Sequence, residues 1–411
     1  MSIIRTAVIG GGAAGMMAAV FASRKGEKVT VFEKNQKIGR KLYITGKGRC
    51  NLTNHCDINT VIQNTPVNGR FLYSALHFFS PEDTIRFFEE QGLPLKTERG
   101  NRVFPVSDRA ADVVDTLLWT AKKSGCTIRH QTVKELIIKD GQISGVVTAD
   151  ESIPFDRVII ATGGLSYPVT GSTGDGYRFA KKAGHTIIPV KPSLVPLETI
   201  EPIDKQANKL LLKNIAVNVY DTENNNKKIY SDFGEMQLMD YGLSGAVIRS
   251  ASSHMRKMRE GKYRIEADMK PALSEKKLDL RLQREFAERN KDTYESILRS
   301  LMPKEMIGMF LRLSDIPYDK ISSEITKEER HRIVYDLKHL TFTIKDFRPV
   351  DEAIVTSGGV SVKEINPKTM ESKLISGLYF AGEVIDVDAY TGGFNLQAAF
   401  ATGALAGSGK D

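Results

Sequence analysis

The sequence is poor in cysteine and lacks any long uncharged apolar run, and each shortage excludes a class of protein. Three cysteines in 411 residues cannot form the disulfide framework of a small secreted protein. No apolar run approaches the ~20 residues that span a bilayer. The apolar start at residues 6–9 breaks at once into glycines, without the cleavage pattern of a signal peptide. We therefore expect a soluble, cytoplasmic protein with no membrane partner.

Metal-binding and hydrolase patterns are missing as well. The seven histidines are scattered, without His-x₃-His or Cys/His spacing, so no metal site is predicted. His331 and His339 fall eight residues apart in a helical region, a spacing more typical of a helix surface than of ligands. Neither Gly-x-Ser-x-Gly nor a Ser-His-Asp order is present, which argues against a serine hydrolase.

The charge is basic but is not organised as a nucleic-acid site. The net charge is +8 and the pI about 9.1, which raises the question of RNA or DNA binding. However, acidic residues are interleaved almost throughout. The densest basic stretch, residues 254–259, lacks the interleaved aromatic side chains of a base-stacking surface. A nucleic-acid partner is therefore only the rival hypothesis to a small-molecule substrate.

Residues 10–15 (GGGAAG) fit the dinucleotide-binding pattern G-x-G-x-x-G between a short apolar strand and a helical run. Gly10 permits the tight turn, Gly12 lets the backbone approach a pyrophosphate, and Gly15 allows close helix–strand packing. Glu33 ends the following strand, where its carboxylate can accept bonds from ribose hydroxyls. That acid favours an unphosphorylated ribose, as in FAD or NAD, over NADP.

A second glycine-rich basic segment, residues 39–51, favours FAD over NAD. The longer FAD needs backbone N–H groups and cations along its ribityl chain and isoalloxazine ring, and NAD does not. Near the other end of the chain, a buried strand closes with Gly382 and Glu383, which places a carboxylate within reach of ribityl hydroxyls. Residues 391–397 (TGGFNLQ) then enter a helix whose N-terminus can stabilise the negative charge of reduced flavin. Both ends are therefore predicted to converge on one non-covalently bound FAD.

The predicted cofactor-binding residues come from all of these segments. They are Gly10, Gly12, Ala13, Ala14, Gly15, Glu33, Lys34, Lys41, Thr45, Gly46, Gly48, Arg49, Cys50, Asn51, Val133, Thr162, Gly163, Gly164, Gly382, Glu383, Gly392, Gly393, Asn395, Leu396 and Gln397.

Five further motifs are specific enough to compare with known families: residues 45–54 (TGKGRCNLTN), 171–177 (GSTGDGY), 353–360 (AIVTSGGV), 369–373 (TMESK) and 391–397 (TGGFNLQ). Together they resemble a bacterial family of conserved flavoproteins, which includes enzymes described as aminoacetone oxidases and as dehydro-bile-acid reductases. The resemblance covers essentially the whole chain. More distantly, AGE at 381–383 is similar to the succinate dehydrogenase and fumarate reductase flavoproteins. Ala389 departs from the family pattern, which usually has Gly there.

The resemblance implies an FAD domain interrupted by a β-barrel-like module that itself carries a helical insertion. The residue patterns agree with that organisation. The strand–turn–helix–strand opening predicts a doubly wound, Rossmann-like α/β sheet. Four prolines between residues 189 and 202 then mark a change to short alternating segments, followed by a helical pattern. We predict an FAD-binding domain in 1–190 and 363–411, a β-rich module in 191–272 and 341–362, and a helical insertion in 273–340.

The predicted function is an FAD-dependent oxidoreductase that moves hydride between flavin N5 and a small organic substrate. The resemblance implies either an amine or aminoketone oxidase or an NAD(P)H-dependent C=C reductase. No second strand–G-x-G-x-x-G–helix is present, so NAD(P)H would have to dock transiently. An RNA-modifying flavoprotein and a flavin-binding protein without turnover are the alternatives.

Few residues are candidates for the chemistry itself. Cys50 is redox-active if the neighbouring cations Arg49 and Lys47 lower its thiol pKa, and otherwise is a packed small residue. Its spacing to Cys56 does not match the C-x₄-C pair of flavin disulfide reductases. The candidates for substrate contact are Tyr167, Tyr390 and Arg348, with Ser166 and Asp351 beside them.

Overall fold

The computed structural model describes residues 3–409, which divide into two compact units. One unit is built from both ends of the sequence: the residues up to Ser193 and those from Pro349 onward. The other is Leu194–Arg348. Within residues 3–409, none of the helices is both long and apolar enough to cross a membrane.

The regular elements are numbered in chain order. The strands are β1 Arg5–Ile9, β2 Lys28–Phe32, β3 Thr53–Asn54, β4 Leu95–Glu98, β5 Arg102–Pro105, β6 Thr127–Arg129, β7 Glu135–Lys139, β8 Gln142–Val147, β9 Ser152–Pro154, β10 Arg157–Ile160, β11 Ile187–Ser193, β12 Leu197–Thr199, β13 Leu211–Asp221, β14 Lys227–Met239, β15 Gly242–Ser244, β16 Tyr263–Asp268, β17 Leu340–Phe347, β18 Val355–Val360 and β19 Leu378–Phe380. The helices are α1 Ala13–Arg24, α2 Arg40–Ile44, α3 Ile58–Gln63, α4 Tyr73–Phe78, α5 Pro81–Glu90, α6 Ala110–Lys123, α7 Asp175–Lys182, α8 Ala246–Ser252, α9 Glu275–Glu288, α10 Tyr294–Leu301, α11 Ile307–Ser314, α12 Lys327–Lys338 and α13 Phe394–Ser408.

The first unit is organised around a five-stranded parallel sheet in the order β19-β10-β1-β2-β6. Its strands β1, β10 and β19 are almost wholly buried, as expected of a parallel sheet covered on both faces. Strand β19 pairs with β10 although the whole second unit separates them in sequence. The predicted Rossmann-like domain built from both chain ends is thereby confirmed.

Helices α1 and α13 pack together through residues without bulky side chains. Helix α13 is apolar and buried along most of its length, as is typical of a helix enclosed by other elements. A Cβ atom on Gly403 would overlap the carbonyl oxygen of Ala14, and one on Gly407 would overlap that of Ala18. The two backbones can approach this closely only because glycine stands at both positions. This contact fixes the C-terminal segment against the helix that follows the glycine turn.

The second unit is a closed antiparallel barrel in the order β12-β15-β14-β13-β16-β17. Helices α9 to α12 lie between β16 and β17 in the sequence. The buried side chains of the barrel and of these helices form one hydrophobic cluster, so the helices complete the core of the unit. The predicted β-barrel-like module with a helical insertion is confirmed.

Some segments depart from the sequence analysis. The predicted return segment 341–362 is too long, because β18 pairs with β11 in the first unit and the boundary falls at Arg348. The predicted module start at 191 is early for the same reason, since β11 runs on to Ser193. Strand β6 pairs in parallel with β2 at the edge of the sheet. Helix α8 lies within the region that was predicted to be a β-rich module.

Candidate functional site

One cleft in the first unit gathers most of the predicted cofactor residues. It encloses about 1470 Å³ of empty space, its open mouth included. All of its lining residues belong to the first unit, and both ends of the sequence contribute to its walls. The predicted residues that line it are Gly10, Gly12, Ala13, Ala14, Glu33, Lys34, Lys41, Thr45, Val133, Thr162, Gly163, Gly382, Glu383, Asn395 and Leu396.

The glycine turn between β1 and α1 forms one wall of the cleft. Gly10 has φ +108°, and a Cβ atom there would overlap the carbonyl oxygen of Ala161. A Cβ atom on Gly15 would overlap the carbonyl oxygen of Gly10. Gly12 differs, because a Cβ atom built there meets no protein atom within 4 Å. The space beside Gly12 is therefore left open to the cleft, as a backbone that approaches a pyrophosphate requires.

Glu33, buried just after the end of β2, is held by three N–H donors. Its Oε2 accepts from the backbone N–H of Gly11 at 2.9 Å. Its Oε1 accepts from the backbone N–H of Asn35 at 2.9 Å and from the Asn35 side-chain Nδ2 at 2.7 Å. Since a carboxylate offers about four acceptor positions, one position remains, on Oε2, for a ribose hydroxyl. A 2′-phosphate would instead meet this fixed negative charge.

The ion pair between Lys41 and Glu383 lies on the cleft wall and links segments from the N-terminal and C-terminal parts of the chain. Lys41 Nζ lies 2.6 Å from Glu383 Oε2 and 2.6 Å from Ser166 Oγ. Glu383 Oε1 accepts from the backbone N–H of Thr356 at 2.8 Å and lies 3.0 Å from Ser166 Oγ. The Lys41 and Glu383 side chains are 24% and 19% exposed. The predicted ribityl-binding carboxylate is thus oriented by protein groups from three segments of the chain.

Several predicted cofactor residues do not line the cleft. Arg49 instead binds Glu98 and Asp108, each with a shortest N–O distance of 2.5 Å, and lies 4.2 Å from the centre of the Phe104 ring. Its charge is therefore used within this ion-pair network, which Lys96 extends. The predicted residues that do not line the cleft are Gly15, Gly46, Gly48, Arg49, Cys50, Asn51, Gly164, Gly392, Gly393 and Gln397.

Cys50 is fully buried, and burial raises the pKa of its thiol to about 12. The hypothesis that Arg49 or Lys47 lowers this pKa is wrong, because desolvation dominates and Arg49 is paired with carboxylates. Burial also raises the pKa of Cys56 to about 11. Both thiols are protonated at neutral pH, which favours the packing role for Cys50 over a redox role.

The entry to helix α13 is held by the side chains of Gln397 and Asn395. Gln397 is buried, and its Oε1 accepts from the hydroxyls of Thr53 and Thr84 at 2.7 Å each. Asn395 Oδ1 accepts from the backbone N–H of Ala389 at 2.9 Å, and its Nδ2 donates to the Ala389 carbonyl at 2.7 Å. Ala389 has no positive φ, so the turn does not need the glycine that the family pattern has there.

None of the candidates for substrate contact lines the cleft. Tyr167 and Tyr390 are partly buried in the first unit, and neither lines the cleft. Arg348 lies in the second unit, where it binds Glu198 at 2.9 Å and stacks over Tyr241. Asp351 is exposed, and Ser166 is the candidate that contacts the Lys41–Glu383 pair.

The cleft also contains residues that the sequence analysis missed. The motif at 171–177 was recognised only as a family signature, although its glycine and polar residues could have suggested a cleft wall. Asn35, two residues after Glu33, carries no pattern of its own. Within residues 3–409, no group of three His, Cys, Asp or Glu side chains is arranged to hold a metal ion. The cleft residues that the sequence analysis missed include Asn35, Arg40, Thr170, Ser172 and Asp175.

The chain is similar over almost its whole length to a known protein family and to two named bacterial proteins. The family profile described as "HI0933-like protein Rossmann domain" matches residues 4–409. A Clostridium scindens protein named 3-dehydro-bile acid delta(4,6)-reductase is 34% identical over 410 residues and 98% of each chain. A Haemophilus influenzae protein named ribosomal RNA dihydrouridine synthase is 31% identical over 404 residues, which cover 96% of this chain and 95% of that protein.

Among solved structures, the fold is similar to the open conformation of a flavocytochrome c3 fumarate reductase. The TM-score is 0.50, the sequences are 17% identical, and the match covers 99% of this chain and 78% of that chain. The likeness is one of fold, and it confirms the distant resemblance drawn from AGE at 381–383.

Proposed function

Because the chain belongs to the HI0933-like family of FAD-dependent oxidoreductases, we propose that it reduces a carbon–carbon double bond conjugated to a carbonyl group. The observation that carries this proposal is the chemistry shared by two full-length relatives. The C. scindens relative is named for reducing double bonds of a 3-oxo bile acid. The H. influenzae relative is named for making dihydrouridine, in which a ring double bond next to a carbonyl is saturated.

The cleft residues support FAD as the bound cofactor. Gly12 leaves space that a protein side chain does not fill, and Glu33 keeps one acceptor position for a ribose hydroxyl. Glu383 lies on the same cleft, as expected of a group that binds the ribityl chain. When bound, FAD supplies the hydride-transferring N5 atom, and the protein supplies position and charge.

Lys41 lines the cleft with an ammonium group that can bind an anion. An ammonium group has three N–H donors, and Glu383 and Ser166 accept two of them. The third is left for a negatively charged group in the cleft, such as a phosphate or the reduced ring. We infer that Glu383 and Ser166 hold the Lys41 side chain in place for that contact.

Two substrate classes fit this reaction. A small conjugated ketone follows the C. scindens relative. A uracil base in RNA follows the H. influenzae relative, and the net charge of +8 is compatible with a polyanionic RNA substrate. In both cases NAD(P)H would reduce the flavin by transient docking, because G-x-G-x-x-G occurs once, at residues 10–15.

The experiment is an anaerobic half-reaction study of the purified holoprotein. NADH and NADPH are added separately while the loss of flavin absorbance is followed, and a substrate is then added to the reduced protein. We expect reoxidation by a conjugated steroid ketone or by a uridine-containing ribosomal RNA transcript, and none by the corresponding saturated ketone. Rapid flavin reduction by amines, with no reoxidation by either unsaturated substrate, would instead establish an amine oxidase and refute the reductase.

A further inference from the structure

Asn35 joins two walls of the cleft. Its side-chain Nδ2 donates to Glu33 Oε1 at 2.7 Å and to the carbonyl oxygen of Thr170 at 3.2 Å. Its Oδ1 accepts from Arg40 Nη1 at 2.9 Å, so the amide uses both hydrogens and its oxygen. All four residues line the cleft. A single side chain therefore ties the loop after β2 to the segment before α7.

Residues 167–175 form the wall opposite Asn35, and their local turn orients the Thr170 carbonyl toward the Asn35 amide. Thr170 donates from its backbone N–H and its hydroxyl to the Tyr167 carbonyl, at 2.8 and 2.7 Å. Gly171 follows with φ +109°, and a Cβ atom there would lie 2.5 Å from Asn35 Nδ2. Any side chain at residue 171 would push the segment away from Asn35. The local turn and the glycine together present the Thr170 carbonyl to the amide.

A second contact between the same walls is ionic. Lys34 Nζ lies 2.7 Å from Asp175 Oδ2 and 2.5 Å from Thr173 Oγ1. Burial acts to raise the pKa of Asp175, but the Lys34 ammonium outweighs it and holds that pKa below its usual value. The Lys34 and Asp175 side chains are 26% and 29% exposed, so salt screens the pair. The Asn35 amide is itself uncharged, and its bond to the Thr170 carbonyl carries no such dependence on salt.

We propose that Asn35 is a positioning residue that holds segment 167–175 against the loop after β2 and thereby sets the rate at which FAD leaves the cleft. Asn35 occupies Glu33 Oε1 with two N–H donors and so leaves Oε2 to receive the ribose hydroxyl. The same amide anchors the opposite wall through Thr170. Losing the amide loosens the carboxylate and the wall together. The role is independent of which substrate is reduced.

The test compares FAD release from Asn35→Ala, Asn35→Asp and the parent holoprotein, by transfer of FAD to an excess of apoflavoprotein acceptor. The aspartate keeps an acceptor for Arg40 but loses both side-chain donors and adds a negative charge beside Glu33. We expect both variants to release FAD at least roughly tenfold faster, because each loses one neutral hydrogen bond, to the Thr170 carbonyl, and one charge-assisted hydrogen bond, to the Glu33 carboxylate. Amide hydrogen exchange of residues 167–175 should rise in both. The matched control is Asn64→Ala, which removes a side-chain bond to the Thr60 carbonyl outside the cleft and should stay within twofold of the parent.

Unchanged FAD release in both Asn35 variants would overturn the proposal. Faster release with unchanged exchange of residues 167–175 would also overturn it, because Asn35 would then act on Glu33 alone. If the Asn35 variants do not fold, Gly171→Ala tests the same contact from the other wall, and a parental release rate in that variant would refute it. The effect of Asn35→Ala on FAD release should change little between low and high salt, whereas the acceleration caused by Lys34→Met should shrink as salt rises.

Discussion

At the glycine turn, three glycines within six residues serve two different purposes. Gly10 and Gly15 leave no room for a side chain inside the protein, because carbonyl oxygens lie where their Cβ atoms would be. Gly12 has room on the protein side and opens to the cleft. Gly10 and Gly15 are therefore required by the fold, whereas Gly12 is predicted to be required by the ligand.

Gly12→Val should give a folded protein that binds no FAD. Gly12 has φ −85°, which any L-residue adopts, and its Cβ would touch no protein atom. The valine would instead fill the space that a pyrophosphate needs. Flavin absorbance of the purified variant and its thermal unfolding by circular dichroism check both parts. Gly15→Val is the matched control and should unfold at lower temperature, while full FAD occupancy in Gly12→Val would show that the motif is only a structural turn.

Glu383→Ala should weaken FAD binding roughly ten- to hundredfold, as expected from losing a charge-assisted hydrogen bond of about 1.5–3 kcal/mol. The same change leaves the Lys41 ammonium without its carboxylate partner. Titration of apoprotein with FAD, followed by flavin fluorescence, measures the affinity. Glu383→Gln keeps the size and one oxygen acceptor and should fall between the parent and Glu383→Ala. An alanine variant that binds FAD as tightly as the parent would contradict a cofactor site made from both chain ends.

The sequence allowed good prediction of the residues whose role depends on local backbone shape. Gly12, Glu33 and Glu383 all lie on the cleft because a turn or a strand end places them there, although their contact with FAD stays a prediction. Arg49 was misjudged because its partners Glu98 and Asp108 are distant in sequence. No local pattern reveals that a cation is already paired elsewhere.

At the scale of the elements, the close packing of helices α1 and α13 depends on glycine at their contact. We expect Gly403→Ala to lower the free energy of unfolding by about 1–3 kcal/mol, the usual cost of overpacking, because its Cβ would overlap the Ala14 carbonyl oxygen. Denaturant unfolding measures the change. Gly308→Ala in α11 is the matched helical control, since its Cβ meets nothing closer than a carboxylate oxygen of Asp204 at 3.1 Å. It should be neutral or slightly stabilising, and equal losses in both variants would refute the close-packing argument.

Periodicity located the long elements well and failed for short strands. Strand β1, helix α1 and strand β2 match the predicted strand–turn–helix–strand opening, and α13 begins within residues 391–397 as predicted. Strand β18 was assigned to the β-rich module, although it pairs with β11 in the first unit. A strand's own residues indicate that it is extended, but its pairing partner is set by tertiary contacts far away in sequence.

For the whole molecule, deleting the residues after Gly377 should abolish FAD binding although the glycine turn is untouched. The deletion removes β19 from the edge of the sheet, Glu383 from the cleft, and α13 from the surface of α1. The exposed apolar surface of α1 would then face water. Flavin absorbance of the truncated protein is the measurement. Bound FAD in that protein would mean that residues 1–377 hold the cofactor without the last strand and helix.

The order of the segments could be predicted because matching signals stood at both ends of the sequence. A glycine turn at residues 10–15 and Gly382-Glu383 make sense only as parts of one site. The exact boundaries could not be predicted, because β11 and β18 resemble strands of the barrel in composition and are distinguished from them only by pairing with each other.

The contact between Gly403 and Ala14 also imposes an order on biosynthesis. Roughly 380 residues separate the starts of α1 and α13, so at ~5–20 residues per second the first helix waits roughly 20–75 s for its partner to be translated. All strands of the barrel emerge during that interval, so the second unit has its full set of strands before the first unit does. A cofactor site that needs Glu383 is therefore completed only after all strands of the barrel have been translated. A ribosome stalled before α13 would display the apolar face of α1 to chaperones.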